Sequence, residues 1–97
     1  MNTYIGLGNW TNQGITEVKN GPKRLDSAKD LAKSLGGEIK SFYMTMGAHD
    51  LVVIFEAPND AIAARMMLTV GMAGALRTTT LKAFPEAEYR EIIKSLG

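Results

Sequence analysis

The run Leu51-Val52-Val53-Ile54-Phe55 is apolar at every position, with Asp50 before it and Glu56-Ala57-Pro58 after it. Successive side chains of a strand point to opposite faces, so a strand of this composition needs apolar cover on both. A chain of 97 residues can cover one face of a small sheet with its own helices. The other cover has to come from a second chain, because an apolar sheet face left in water is an aggregation hazard. The reading is therefore an obligate assembly, with two-fold pairing as the expected form.

The rest of the chain fits this frame. Thr3 to Trp10 alternates as a strand, with Ile5 and Leu7 on one face and Tyr4, Gly6, Gly8 and Trp10 on the other. Alternate glycines clear space on their face. Thr11 to Gly14 reads as a turn. Between Ile15 and Leu35 the pattern is helical, broken by Asn20-Gly21-Pro22. Pro22 suits the first turn of the main helix, where its missing N–H costs nothing. Leu25, Ala28, Leu31, Ala32 and Leu35 then recur at helical spacing, and Gly36-Gly37 stops the helix. A strand follows over Glu38–Thr45, a tight hairpin at Gly47-Ala48-His49, and a strand over Asp50–Ala57. Pro58-Asn59-Asp60 caps a helix over about Asp60–Gly71, which Gly71 and Gly74 end. Leu76–Phe84 is a fourth strand, and Pro85–Leu96 a tail helix with Ala87, Tyr89, Ile92, Ile93 and Leu96 on one side. This β-α-β-β-α-β order predicts an α+β ferredoxin-like plait, a four-stranded antiparallel sheet with both helices on one face, as a single domain over residues 1–97. The tail helix is expected either to cover the sheet edge or to reach across to the partner.

Composition narrows the function classes. Eleven basic and ten acidic side chains leave a net charge of +1, which gives no electrostatic footprint for nucleic acid or an anionic membrane. The chain has no cysteine and one histidine, so thiol chemistry is excluded and a metal centre has a poor donor set. No cofactor is expected. No secretion signal or bilayer-length apolar run is visible, which makes a cytoplasmic location the default.

His49 adjoins Asp50, and together with Tyr43 these are the candidate acid–base groups; each equally suits a turn or an interface. Asp50 and Glu56 share strand parity and project toward the space between two paired sheets. Arg77 or Arg65 is the expected counter-charge. Tyr4, Trp10 and Tyr43 are aromatic groups with polar tips, suited to a slot for a planar ligand or to an interface core. The predicted ligand set is Tyr4, Trp10, Tyr43, His49, Asp50, Glu56 and Arg77.

These residues also carry a resemblance. Tyr4-Ile5-Gly6-Leu7, Trp10-Thr11-Asn12-Gln13-Gly14-Ile15, Pro22-Lys23-Arg24-Leu25, Leu35-Gly36-Gly37, Phe42-Tyr43, Glu56-Ala57-Pro58-Asn59-Asp60 and Arg77–Phe84 resemble the GYD-domain family of small bacterial and archaeal proteins. The naming motif stands here as Gly47-Ala48-His49-Asp50, with histidine where tyrosine is usual. The resemblance implies a dimeric α+β barrel, a superfamily that also holds cofactor-free monooxygenases, haem-handling enzymes and ligand-binding domains of feast/famine regulators. The favoured function is a homodimeric small-molecule binding or sensing protein with its cavity between the two sheets. The alternatives are an assembly module without a ligand, and a cofactor-free oxygenase- or isomerase-type enzyme. The expected partners are a second copy of the chain, with room for higher oligomers, and a small molecule.

Overall fold

A computed structural model describes all of Met1–Gly97. Its elements are β1 (Asn2–Trp10), α1 (Asn12–Thr16), a 3-10 turn (Val18–Asn20), α2 (Gly21–Ser34), β2 (Glu38–Met44), β3 (Leu51–Ala57), α3 (Asp60–Met72), β4 (Leu76–Ala83) and α4 (Glu86–Lys94). The strands form one antiparallel sheet in the order β2-β3-β1-β4. This is the expected ferredoxin-like plait, and the predicted boundaries hold to within a residue or two. Two details differ. Thr11–Gly14 is the start of α1, where the Thr11 hydroxyl caps the helix by accepting the Gly14 N–H at 3.0 Å. Gly71 lies inside α3, and the stop falls to Gly74, whose φ of +88° suits glycine.

Register assigns the two faces. On the helix side Tyr4 pairs with Phe55, Gly6 with Val53 and Gly8 with Leu51. A bulge at Lys40 puts Ile39, Phe42 and Met44 on this side too, although strict alternation would separate Ile39 from Phe42. The opposite, open face is a set of cross-strand rows: Tyr43-Val52-Leu7-Thr79, Ser41-Ile54-Ile5-Leu81, and Glu38-Glu56-Thr3-Ala83. Asp50, Asn9 and Arg77 close its other end. The face is apolar in the middle and polar at both ends, and no element of the chain covers it.

The filled core sits at one end of the sheet. Tyr4, Ala32, Phe55, Ala57, Ala63 and Met66 are buried together there, with the Tyr4 and Phe55 rings stacked at 5.3 Å. Toward the other end α2 presents Leu25, Ala28 and Leu31, all only half-buried, above the side-chain-free Gly6 and Gly8. Helix and sheet stand apart at this end.

One glycine tests the local energetics. Gly71 has no heavy atom within 4 Å of where a Cβ would stand, so Gly71→Ala gains helix propensity without a clash. It should stabilise the chain by about 1 kcal/mol and raise the melting temperature by roughly 4–8 °C. Thermal melts by circular dichroism check this, and an unchanged or lower value would contradict it.

From Phe84 to Gly97 every residue is exposed, and α4 has no substantial packing against the rest of its chain. The radius of gyration is 14.5 Å, against about 12.5 Å for a compact chain of this length. The tail helix is an arm, and it does not cover its own sheet edge.

Candidate functional site

The hollow end of the helix–sheet layer is a cavity of about 740 Å³. Its floor is Gly6, Gly8, Leu51 and Val53, its roof Leu25, Ala28 and Leu31 of α2 with Met67 and Val70 of α3. Trp10, Leu76 and Ala75 close one end, and Phe42 and Met44 of the edge strand β2 stand at its mouth. Gly8 is what makes the floor: a Cβ there would lie 2.6 Å from a Leu51 methyl, so the leucine lies across the glycine and the space above stays open. The lining contains no carboxylate, imidazole or phenol. Its charged groups are Lys23 and Arg24 at the start of α2, and Arg24 is held by Glu17 at 3.1 Å.

The predicted site residues are divided among three places. Trp10 alone lines the cavity. Its backbone N–H donates to Asp50 Oδ2 at 3.0 Å, while the Asp50 N–H donates to Gly8 O at 2.8 Å. Asp50 therefore satisfies a backbone donor at the end of β1. His49 belongs to the same joint. Asn9 Nδ2 donates to Ala48 O at 2.9 Å, which turns Asn9 Oδ1 toward His49 Nδ1 at 3.0 Å and places the imidazole proton on Nδ1. Thr45 Oγ1 donates to His49 O at 2.6 Å. The 45–50 connection is thus a loop docked onto β1, longer than the tight hairpin expected.

Tyr43, Glu56 and Arg77 stand on the open face, at separate rows. Neither Asp50 nor Glu56 forms an ion pair with Arg77 or Arg65, contrary to the expected counter-charge; Arg77 lies at the Asn9 end and Glu56 at the Thr3 end of the sheet. Tyr4 lies at the far end of the core. Its hydroxyl donates to Asp60 Oδ1 at 2.5 Å, and Lys82 Nζ lies 3.3 Å from the same oxygen. Sequence reasoning missed the cavity roof. Half of the signal was legible, in Gly6 and Gly8 clearing space on their face; that Ala28 of α2 stands above them was not, because its helical spacing reads as ordinary core.

Burial, then the hydrogen bond to Asp60, pushes the Tyr4 hydroxyl above its ordinary value. The same bond and Lys82 hold the Asp60 carboxyl below its ordinary value. For a phenol whose folded-state pKa is raised, the stabilisation is complete below the unfolded value, about 10, and is lost as pH rises through the folded value. For Asp60 it is present above the ordinary carboxyl range and lost as pH falls through the lowered one. In a Tyr43→Phe/Tyr89→Phe chain, where Tyr4 is the remaining tyrosine, phenolate absorbance should appear only above pH about 10 and together with unfolding. Phenolate forming earlier in a folded chain would contradict the Tyr4–Asp60 bond.

Sheet order, register and helix placement define an α+β ferredoxin-like protein. The GYD-domain family model matches residues 4–93, and the chain belongs to that family. It is 32% identical over 89 residues to the "glutamine synthetase and cystathionine beta-lyase binding protein" of Thermus thermophilus, an alignment covering 91% of this chain and 94% of that protein. Among solved structures it resembles FFRP-DM1, with a TM-score of 0.62, 20% identity, and coverage of 87% and 100% of the two chains. It also resembles 5-chloro-2-hydroxyhydroquinone dehydrochlorinase (TftG) from Burkholderia phenoliruptrix AC1100, solved with 2,5-dihydroxybenzoquinone, with a TM-score of 0.58, 16% identity, and coverage of 87% and 94%. At these identities the structures speak for the fold. No helix is long and apolar enough to cross a membrane.

Proposed function

We propose that this protein is a homodimeric binding or sensing protein for a small, mostly apolar molecule, held between the sheet and α2/α3. The cavity carries the reading. Close-packed interiors leave few voids larger than a water molecule, whereas 740 Å³ falls within the range of small-molecule sites, about 300–1,000 Å³. Its walls are largely apolar, and Lys23 is the unpaired cation at its rim, so the fitting ligand is an apolar body with one anionic end. This places the ligand on the opposite side of the sheet from the inter-sheet cavity anticipated from sequence. The absence of an acid–base group from the lining favours binding over catalysis by Tyr43, His49 or Asp50.

Dimerisation follows from the open face. Two copies related by a two-fold axis parallel to the strands bring Ile54 over the partner's Ile5 and Val52 over the partner's Leu7. An axis perpendicular to the strands would instead set Asp50 against the partner's Glu56. The first arrangement pairs apolar with apolar and sets Glu56 over the partner's Thr3 rather than over a carboxylate.

The test is titration with 1-anilinonaphthalene-8-sulfonate, an aromatic anion of suitable size. The wild-type chain should bind it stoichiometrically in the native state, and Ala28→Phe, which fills the roof, should weaken binding roughly tenfold, about 1.4 kcal/mol. Equal binding by both proteins would place the dye elsewhere. Native mass spectrometry of the purified protein asks the same of its natural ligand.

A second reading has one specific support, the name of the Thermus relative, which describes a protein that binds two enzymes. On that reading the dimer docks on glutamine synthetase, and surface plasmon resonance with the enzyme from the same organism tests it. Ligand and enzyme binding are compatible if occupancy of the cavity alters the docking surface.

A further inference from the structure

Two features of the chain are unfinished. The cavity is open at the β2 edge, where Phe42 is 38% and Met44 69% exposed. The arm, α4 and the residues after it, carries Tyr89, Ile92, Ile93 and Leu96, all between 44% and 75% exposed and without substantial packing against the rest of the chain. β2 and β4 are opposite edges of the sheet, so an arm leaving β4 is on the wrong side to close its own cavity.

We propose that α4 crosses to a second copy of this chain and closes the mouth of that copy's cavity, its apolar stripe lying on Phe42 and Met44 of the partner subunit. The proposal rests on the cavity being the ligand site. With the two-fold axis parallel to the strands, each β4 lies over the partner's β2 across a sheet spacing of ~10 Å, and the Ala83 end of one meets the Glu38 end of the other. The arm then has to run the length of β2. From Glu38 to Met44 that is about 20 Å, six steps at ~3.4 Å, or about 22 Å on the diagonal once the ~10 Å between the sheets is crossed. The arm supplies about the same: two extended residues, Phe84 and Pro85, give ~7 Å, and nine helical residues give ~14 Å.

Area and charge point to the same occupant. Four strands spaced ~4.8 Å apart and ~24 Å long give a planar footprint of about 450 Å², while a stable interface takes roughly 800 Å² from each partner. An amphipathic helix added to each side enlarges the area each partner contributes. Within the arm Arg90 pairs with Glu86 and Lys94 with Glu91, leaving Glu88 without a partner. The helix bordering the mouth, α2, is rich in lysine, and its Lys29 and Lys33 form no ion pair.

The chain has no cysteine, so a disulfide reports the contact cleanly. A Met44→Cys/Leu96→Cys chain, both positions being exposed, should oxidise to a covalent dimer whose peptide map shows the two engineered cysteines joined between chains. In parallel, Ile92→Lys should leave the melting curve of the subunit intact and weaken 1-anilinonaphthalene-8-sulfonate binding by roughly tenfold. A dimer that binds the dye but forms no such disulfide overturns the arm exchange and leaves the cavity reading standing. So does an Ile92→Lys protein with unchanged dye affinity. A disulfide formed within one chain, or a monomer by light scattering, overturns the exchange as well. Failure of the wild-type dimer to bind the dye removes the cavity reading, and the lid function with it.

Discussion

Gly14→Ala should melt roughly 8–30 °C below the parent chain, or fail to fold, as a 60–100-residue domain loses about 4–8 °C per kcal/mol. A Cβ at Gly14 would stand 1.9 Å from the carbonyl oxygen of Ala75, with the Ala75 carbonyl carbon at 2.8 Å. The obstacle is backbone, which cannot rotate aside. The same carbonyl accepts the Thr11 N–H at 3.1 Å, and the Thr11 hydroxyl donates to Gly74 O at 2.6 Å. Relieving the clash pulls α1 away from the α3–β4 turn and breaks both bonds, each worth about 1 kcal/mol net. Overpacking strain adds about 1–3 kcal/mol. Against this, alanine gains about 1 kcal/mol of helix propensity over glycine. The loss wins by ~2–4 kcal/mol, a large share of the 5–15 kcal/mol that stabilises a typical domain. Thermal and urea melts measure it. A Gly14→Ala protein as stable as Gly71→Ala would refute the close approach.

The contrast between these glycines marks where sequence reading stops. Gly71 and Gly74 looked equivalent as helix stops, yet one lies in the helix and the other takes positive φ. Gly14 read as a turn residue, and nothing local reveals that Ala75 lies against it, because that contact joins segments sixty residues apart. The elements themselves were legible. The alternation in β1, the two-faced run in β3, Pro22 at a helix start and Asn59 as a cap each fix local structure through chemistry that needs no distant partner. The candidate site was not legible in the same way. Asp50, His49 and Tyr43 drew attention as polar groups near a glycine turn. Asp50 and His49 are occupied by the Trp10 N–H and Asn9, and Tyr43 faces away from the cavity. The cavity is made by what is missing, the side chains of Gly6 and Gly8 beneath the small Ala28; the alternating glycines announced cleared space, but nothing local says that Ala28, on a distant helix, stands over it. The bulge at Lys40 is a further case: it brings Ile39 and Phe42 to one face, which a period of two assigns to opposite faces.

Ile54→Lys should convert the proposed dimer to a monomer while the subunit stays folded. Ile54 sits in the middle of the open face, flanked in its row by Ile5 and Ser41, and points away from α2 and α3. Within the subunit the lysine reaches water, so the core of Tyr4, Phe55 and Met66 is untouched. Within the dimer it faces the apolar row of the partner with no carboxylate in that row. An uncompensated buried charge costs about 3–5 kcal/mol, and two-fold symmetry places two of them in each dimer. At ~3 kcal/mol apiece the dissociation constant rises about 10⁴-fold, since each 1.4 kcal/mol is a factor of ten. Analytical ultracentrifugation across a concentration series measures the constant, and circular dichroism checks the fold. Thr79→Lys on edge strand β4 serves as a control; the residue is exposed and near the rim, where a lysine side chain extends to solvent and costs little. Dissociation by Ile54→Lys with retention by Thr79→Lys locates the interface at the centre of the sheet. An Ile54→Lys dimer of unchanged affinity would mean that the apolar middle of the open face is covered by something other than a second copy, and the two-fold arrangement argued from Ile5, Leu7 and Val52 would fall with it.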